Sequence, residues 1–259
     1  MLGKLLKYEI KSTARLFLPI YIAILVMSLG QCLFTNESLM NVRGIVLGLL
    51  VALIIGLFVF TIVIIIQRFN KNLLGDEGYL TFTLPVSVKN IVVSKLIASI
   101  IYTTLSVIIS IISFNIIVLS FSNGQEILSG YRDLIGYISN HDNFWALMYF
   151  MFMLFISNIT FILLLYLSIS MGQIQKFNNH RVLVGFITYF IINALRSGLE
   201  ALVQNMTTRK NILGDQLYMN FSSIVLDSFS IWVLLLEVVL AVLFFLGTTY
   251  ILEKKLNLE

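Results

Sequence analysis

Apolar residues fill six long runs along the chain, and polar residues collect between them. The runs cover residues 16–34, 45–66, 91–121, 144–171, 182–203 and 230–252. Each is close to or above the ~20 residues that a helix needs to cross a bilayer. They predict an all-α polytopic membrane protein with six transmembrane helices. Residues 1–15 carry a different pattern. At 100° per residue, Leu2, Leu5, Leu6 and Ile10 share one face, and Lys4, Lys7, Lys11 and Arg15 share the opposite one. That is the pattern of an amphipathic helix lying in the headgroup plane. Glu9 falls inside the apolar arc and interrupts it. Two readings stay open: a basic face resting on anionic lipid, or an elbow helix that also touches a cytoplasmic subunit through Glu9. Between the third and fourth runs, Ile127, Leu128, Tyr131, Leu134, Ile135 and Ile138 recur at helical spacing and predict a short surface helix. The third run is longer than the hydrocarbon requires. It is expected to project beyond the bilayer at its start and to leave Lys95 near the interface.

Composition sharpens this picture. The chain is 59% hydrophobic and 12% charged, against about 25% charged in ordinary soluble domains. Its 259 residues suit a single transmembrane domain over 1–259. Cys32 is the only cysteine, which excludes an intrachain disulfide and multi-cysteine metal sites. The distribution of basic residues predicts orientation. With both termini cytoplasmic, Lys4, Lys7, Lys11, Arg15, Arg68, Lys71, Lys89, Lys95, Lys176, Arg181, Lys254 and Lys255 lie inside. Arg43, Arg132, Arg209 and Lys210 lie outside. An excess of about threefold satisfies the positive-inside rule. Trp145 and Trp232 then both fall at the outer interface, where amphipathic rings sit. A cleavable leader is not expected, because the first apolar run is too long and a basic amphipathic segment precedes it.

One inner connection, between the second and third runs, is more than a link. It reads Gly75, Asp76, Glu77, Gly78, Tyr79, Leu80, Thr81, Phe82, Thr83, Leu84, Pro85. Glycine frees the backbone at its start, and proline fixes φ and removes a donor at its end. Asp76 can cap a short helix with an acidic first turn and an apolar remainder. Such a segment can dock into a groove on a cytoplasmic partner; Tyr79 and Phe82 can also anchor a loop to headgroups.

Three ionisable residues fall inside spans. Arg196 and Glu200 are four apart and share a helix face. Glu237 lies about two turns into the sixth span. A charge at mid-membrane costs about 2.5–3.5 kcal/mol on insertion scales, so each should face protein or water. They either pair, Arg196 with Glu200 or with Glu237, and lock two helices together, or they form the polar wall of an outward cavity or gate. A proton relay is disfavoured, because it would draw on more than three groups and no histidine lies in a span. His141 and His180, both in loops, exclude a paired-histidine zinc site, so no metal ligands are expected. No nucleophile elbow occurs. No phosphate-cradling Gly-x-x-x-x-Gly-Lys-Ser/Thr occurs either, so ATP hydrolysis by that chemistry is not expected of this chain.

The start Met1-Leu2-Gly3-Lys4-Leu5-Leu6-Lys7-Tyr8-Glu9, followed by a span, resembles the opening of type 2 ATP-binding-cassette exporter permeases of low-GC Gram-positive bacteria. The segment from Gly75 to Ser87, followed by Ile91-Val92-Val93-Ser94-Lys95, is similar to their inner loop between the second and third helices. The likeness covers the whole chain in topology and these two stretches in residues. It implies an elbow helix before the first span, a coupling helix over 74–84, and short outer helices between the fifth and sixth spans, which 204–229 could supply. It implies pairing with a second permease copy, identical or not, and two copies of a cytoplasmic ATP-binding-cassette subunit that binds ATP and Mg. The chain itself would hold no cofactor and bind no nucleic acid. It would sit among lipids of the bacterial cytoplasmic membrane, moving amphipathic or hydrophobic cargo outward. Exporters of cytolytic or antimicrobial peptides, and immunity pumps against them, are closest in size and style. The alternatives from other classes are an ion-coupled secondary transporter and a membrane scaffold that moves nothing.

Overall fold

The computed structural model describes residues 2–31, 40–71, 87–121, 124–174, 180–211 and 228–254. Seven helices occupy these residues: α1 (Leu2–Gly30), α2 (Met40–Phe69), α3 (Val88–Phe121), α4 (Gly124–Ser139), α5 (His141–Gly172), α6 (Arg181–Asn211) and α7 (Ser228–Lys254). Six of them, all but α4, are long and apolar enough to cross a membrane. The all-α class with six spans therefore stands. α4 is the surface helix expected from the spacing of Ile127 to Ile138.

Element boundaries depart from the apolar runs in informative ways. α3 is 34 residues long, about 51 Å at 1.5 Å per residue, so it overshoots a ~30 Å hydrocarbon core as expected. α6 continues to Asn211 instead of stopping near residue 203. The outer segment expected between the fifth and sixth spans lies, over 212–227, outside the described residues. So does the whole of 74–84, expected as the coupling helix, with Pro85 after it.

The basic start of the chain calls for a correction. It was expected as a separate elbow helix over 1–15, but it is the first half of one unbroken helix with the first span. No glycine or proline falls between Lys4 and Leu18. Thr13 donates its hydroxyl to the Glu9 carbonyl at 2.7 Å. Pro19 lies within the helix without ending it, as prolines do in membrane helices. What keeps the segment on the axis of the span is a set of ties to α2 and α3, described below.

The helices group into two compact units. The first contains α1, α2, α3 and the start of α4; the second contains the rest of α4 with α5, α6 and α7. In the first, α1 and α2 both pack against α3. Its core joins Phe17 and Ile24 of α1, Leu57 and Ile64 of α2, and Tyr102 of α3. The Phe17 and Tyr102 rings stack at 4.9 Å. In the second unit α5 is central and packs against both α6 and α7. Its C-terminal half carries a buried run that includes Thr160, Leu163, Leu164, Tyr166, Ser168 and Ser170. Ser168 and Ser170 return their hydroxyls to the carbonyls of Leu164 and Tyr166, both at 2.8 Å. A buried hydroxyl with no water nearby is satisfied in this way within its own helix.

Close approach of α5 and α6 depends on glycine. A Cβ on Gly185 would meet the Ser168 carbonyl oxygen at 3.3 Å, and one on Gly172 would lie 2.3 Å from the Arg181 carbonyl oxygen. Small residues at such crossings let backbones approach in the absence of a hydrophobic driving force between helices.

Candidate functional site

Two ionic clusters stand out, one in each unit. In the first unit, Glu9 of α1 is gripped from two sides. Its Oε2 accepts from Arg68 Nη1 at 2.8 Å, and its Oε1 accepts from Lys95 Nζ at 2.8 Å. Arg68 also donates to the Glu9 carbonyl and to the Ser12 hydroxyl. Lys95 donates to the Arg68 carbonyl at 3.3 Å and is only 4% exposed. A lysine near the C-terminus of α2 thus caps a terminal carbonyl of that helix, a position that favours cations. Tyr102 of α3 donates to the Ile10 carbonyl at 2.6 Å, one residue beyond Glu9. Lys4, Lys7, Lys11 and Arg15 are exposed, as the basic face required.

A second set of polar contacts joins the opposite ends of the same three helices. Arg43 of α2 donates to the carbonyl and hydroxyl of Ser120 on α3. Ser120 donates to the Gln31 carbonyl at 3.2 Å, and Gln31 donates to the Arg43 carbonyl at 3.4 Å. Along each helix the two sets are about 33–37 Å apart at 1.5 Å per residue. That separation slightly exceeds the ~30 Å hydrocarbon thickness. The first unit is therefore clamped by polar groups at both edges of its apolar belt. Within the belt, Tyr21 donates to or accepts from the Ser106 hydroxyl at 2.9 Å, and Thr61 reaches Ser106 at 3.2 Å.

The second unit holds its charges inside its spans. Arg196 of α6 donates from Nε to Glu200 Oε1 at 3.0 Å. Its Nη2 contacts Glu237 Oε1 on α7 and reaches the Ser157 hydroxyl of α5 at 3.5 Å. Thr160 of α5 donates to the Glu237 carbonyl at 3.3 Å. One guanidinium thus connects α5, α6 and α7. Arg196 engages both carboxylates, where the sequence left open which one it would take and whether the three form a pair or the wall of a cavity or gate.

Nothing in the sequence signals directly that Glu9, Arg68 and Lys95 converge. The available signal was Glu9 itself, an acid placed on an apolar arc. Its partners lie 59 and 86 positions further on. Residues 75–85, including Gly75, Asp76, Glu77, Gly78, Tyr79, Leu80, Phe82, Leu84 and Pro85, are outside the described residues. The connection that contains them is nevertheless rooted in the first cluster. Arg68 lies at the end of α2 just before it, and Lys95 lies in the second turn of α3 just after it.

The fold and these clusters define a multi-pass α-helical membrane protein. Compared with models of protein families, with curated proteins and with solved structures, the chain matches none.

Proposed function

We propose that this chain is the membrane subunit of an ATP-driven exporter, worked from the cytoplasmic side by a separate ATPase that grips residues 75–85. The observation that carries the proposal is the Glu9–Arg68–Lys95 cluster. It fastens both roots of the 72–86 connection to each other and to α1. A force applied to that connection therefore acts on three helices together. Aromatic anchors in a pocket with a polar rim dominate docking surfaces of this kind. Tyr79, Leu80 and Phe82 are the anchors and Asp76 and Glu77 the rim.

In this reading both termini face the cytoplasm of a bacterial cell. The exposed basic face of Lys4, Lys7, Lys11 and Arg15 meets anionic headgroups at about 1 kcal/mol per cation. The most apolar stretch of α6 has none of its residues buried within the chain. That exposure supports an assembly in which α6 meets lipid and a second permease copy. The cargo is amphipathic or hydrophobic, with peptides the leading class on the resemblance.

Affinity purification from the native membrane tests the proposal. The intact chain brings down an ATP-binding partner, and changing Tyr79→Ala with Phe82→Ala lowers its recovery at least tenfold at equal permease yield. Undiminished recovery and undiminished ATPase activity would remove the docking role.

A further inference from the structure

Among the described residues, α4 is the one helix that does not qualify as a span, and no other helix packs along it. It is strongly two-sided. At 100° per residue, Leu128, Tyr131, Leu134, Ile135 and Ile138 fall within an arc of about 120°. Arg132, Asp133 and Gly136 lie off that arc. Leu128, Leu134 and Ile135 are 63%, 57% and 67% exposed, so the chain itself leaves the apolar face uncovered.

The placement of the helix says what covers that face. Tyr131, which belongs to it, donates its hydroxyl to Asn115 Oδ1 on α3. Asn115 Nδ2 donates in turn to the Ile111 carbonyl at 2.8 Å. Asn115 precedes Ser120 by five residues, and Ser120 belongs to the polar contacts that mark this edge of the first unit's apolar belt. Tyr131 is therefore anchored about 7.5 Å inside that edge at 1.5 Å per residue. An interfacial helix buries its apolar face about 5–10 Å into the boundary between headgroups and acyl chains. Connection length agrees. α4 begins at Gly124, three positions after α3 ends at Phe121, and three residues reach at most about 11 Å. That is too short to carry the helix away from the bilayer surface. At its other end, Asn143 of α5 donates to the Tyr137 carbonyl at 3.1 Å.

We propose that α4 is an interfacial membrane helix, its apolar face covered by lipid acyl chains of the leaflet at the Ser120 end of the first unit. Phe114 and Leu119 of α3 are exposed around Asn115, so the face of α4 continues a surface that already meets lipid. Tyr131 satisfies an amide that hydrocarbon would leave unpaired, and its ring sits where tyrosines collect in membranes. α4 carries Glu126 and Asp133 against a single Arg132 and so has no basic excess. Insertion of apolar side chains holds it, not attraction to anionic headgroups, in contrast to the basic face of α1. The inference holds whether or not the chain works with an ATPase.

Site-directed fluorescence in lipid vesicles tests it. Cys32→Ser supplies a background free of cysteine. Leu134→Cys and Gly136→Cys then carry a polarity-sensitive dye, one at a time, on sides of the helix about 160° apart. A Cβ at Gly136 meets nothing within 4 Å, and Leu134 is exposed, so neither change disturbs packing within the chain. In phosphatidylcholine vesicles the dye at 134 is quenched by lipid with a nitroxide at the top of its acyl chain. Iodide in the water quenches it less than the dye at 136, by about threefold or more. The same contrast holds when phosphatidylglycerol replaces half of the lipid. A dye at 134 that iodide reaches as readily as the one at 136 overturns the proposal. So does a dye at 134 shielded from both quenchers, which would mean that protein covers the face. A contrast seen only with phosphatidylglycerol overturns it too, because charge would then hold the helix.

Discussion

Removing Glu9 takes the carboxylate away from two cations. Lys95 is 4% exposed, and Arg68 would keep only neutral acceptors. Breaking a buried pair by deleting one partner costs about 3–5 kcal/mol, because the other charge stays buried. Glu9→Ala is therefore expected to lower the thermal midpoint of the purified protein sharply. Adding Lys95→Met to Glu9→Ala should recover part of the loss, since the more buried of the two cations is then replaced by an apolar side chain. A double variant as unstable as the single one would mean that Glu9 acts through something other than its charge. Some residue-scale chemistry was legible in advance and some was not. Arg196, Glu200 and Glu237 stand out because a charge in an apolar run has to be explained, and the four-residue spacing of the first two puts them on one face. The Glu9 cluster was hidden because its members come from three helices, and nothing in an apolar run says which helix is its neighbour. Arg43, Gln31 and Ser120 were hidden for the same reason.

At the scale of elements, run length was enough to find six spans, since the bilayer fixes how many residues a helix must supply. It was not enough to find where α1 bends or fails to bend. An amphipathic segment has the same periodicity whether it turns into the headgroup plane or continues upright. The decision rests on Glu9, Ile10 and their partners on α2 and α3, which hold the segment against the bundle. Helix crossings were likewise unreadable from sequence, yet they make firm predictions. Enlarging Gly185 to Leu pushes against the Ser168 carbonyl, which is backbone and cannot swing aside. Overpacking of this kind costs about 1–3 kcal/mol. The expected result is a lower thermal midpoint and a weakened α5–α6 crossing. Gly247→Ala makes the control, because its nearest neighbour is the Leu167 Cδ1 methyl at 3.1 Å, the movable end of a flexible side chain. Equal losses from the two substitutions would count against the backbone explanation.

At the scale of the whole molecule, the proposed function has force entering through the connection between α2 and α3. The Glu9 cluster ties the roots of that connection to α1, and polar contacts join α1, α2 and α3 at both ends. A weakened Glu9 cluster should then uncouple ATP turnover from transport before it disrupts assembly with the ATPase. Glu9→Gln is the variant to measure: the partner still copurifies, but ATPase activity no longer responds to cargo. The fold class could be read from the alternation of apolar runs and basic loops. The proposed coupling role could not, because it would depend on a partner whose surface this sequence does not describe. The most direct measurement places a photo-crosslinking amino acid at position 79 in the native membrane. The account predicts an adduct with a nucleotide-binding subunit on the cytoplasmic face. Adducts with lipid alone, or labelling of that position by an impermeant reagent added from outside the cell, would contradict it.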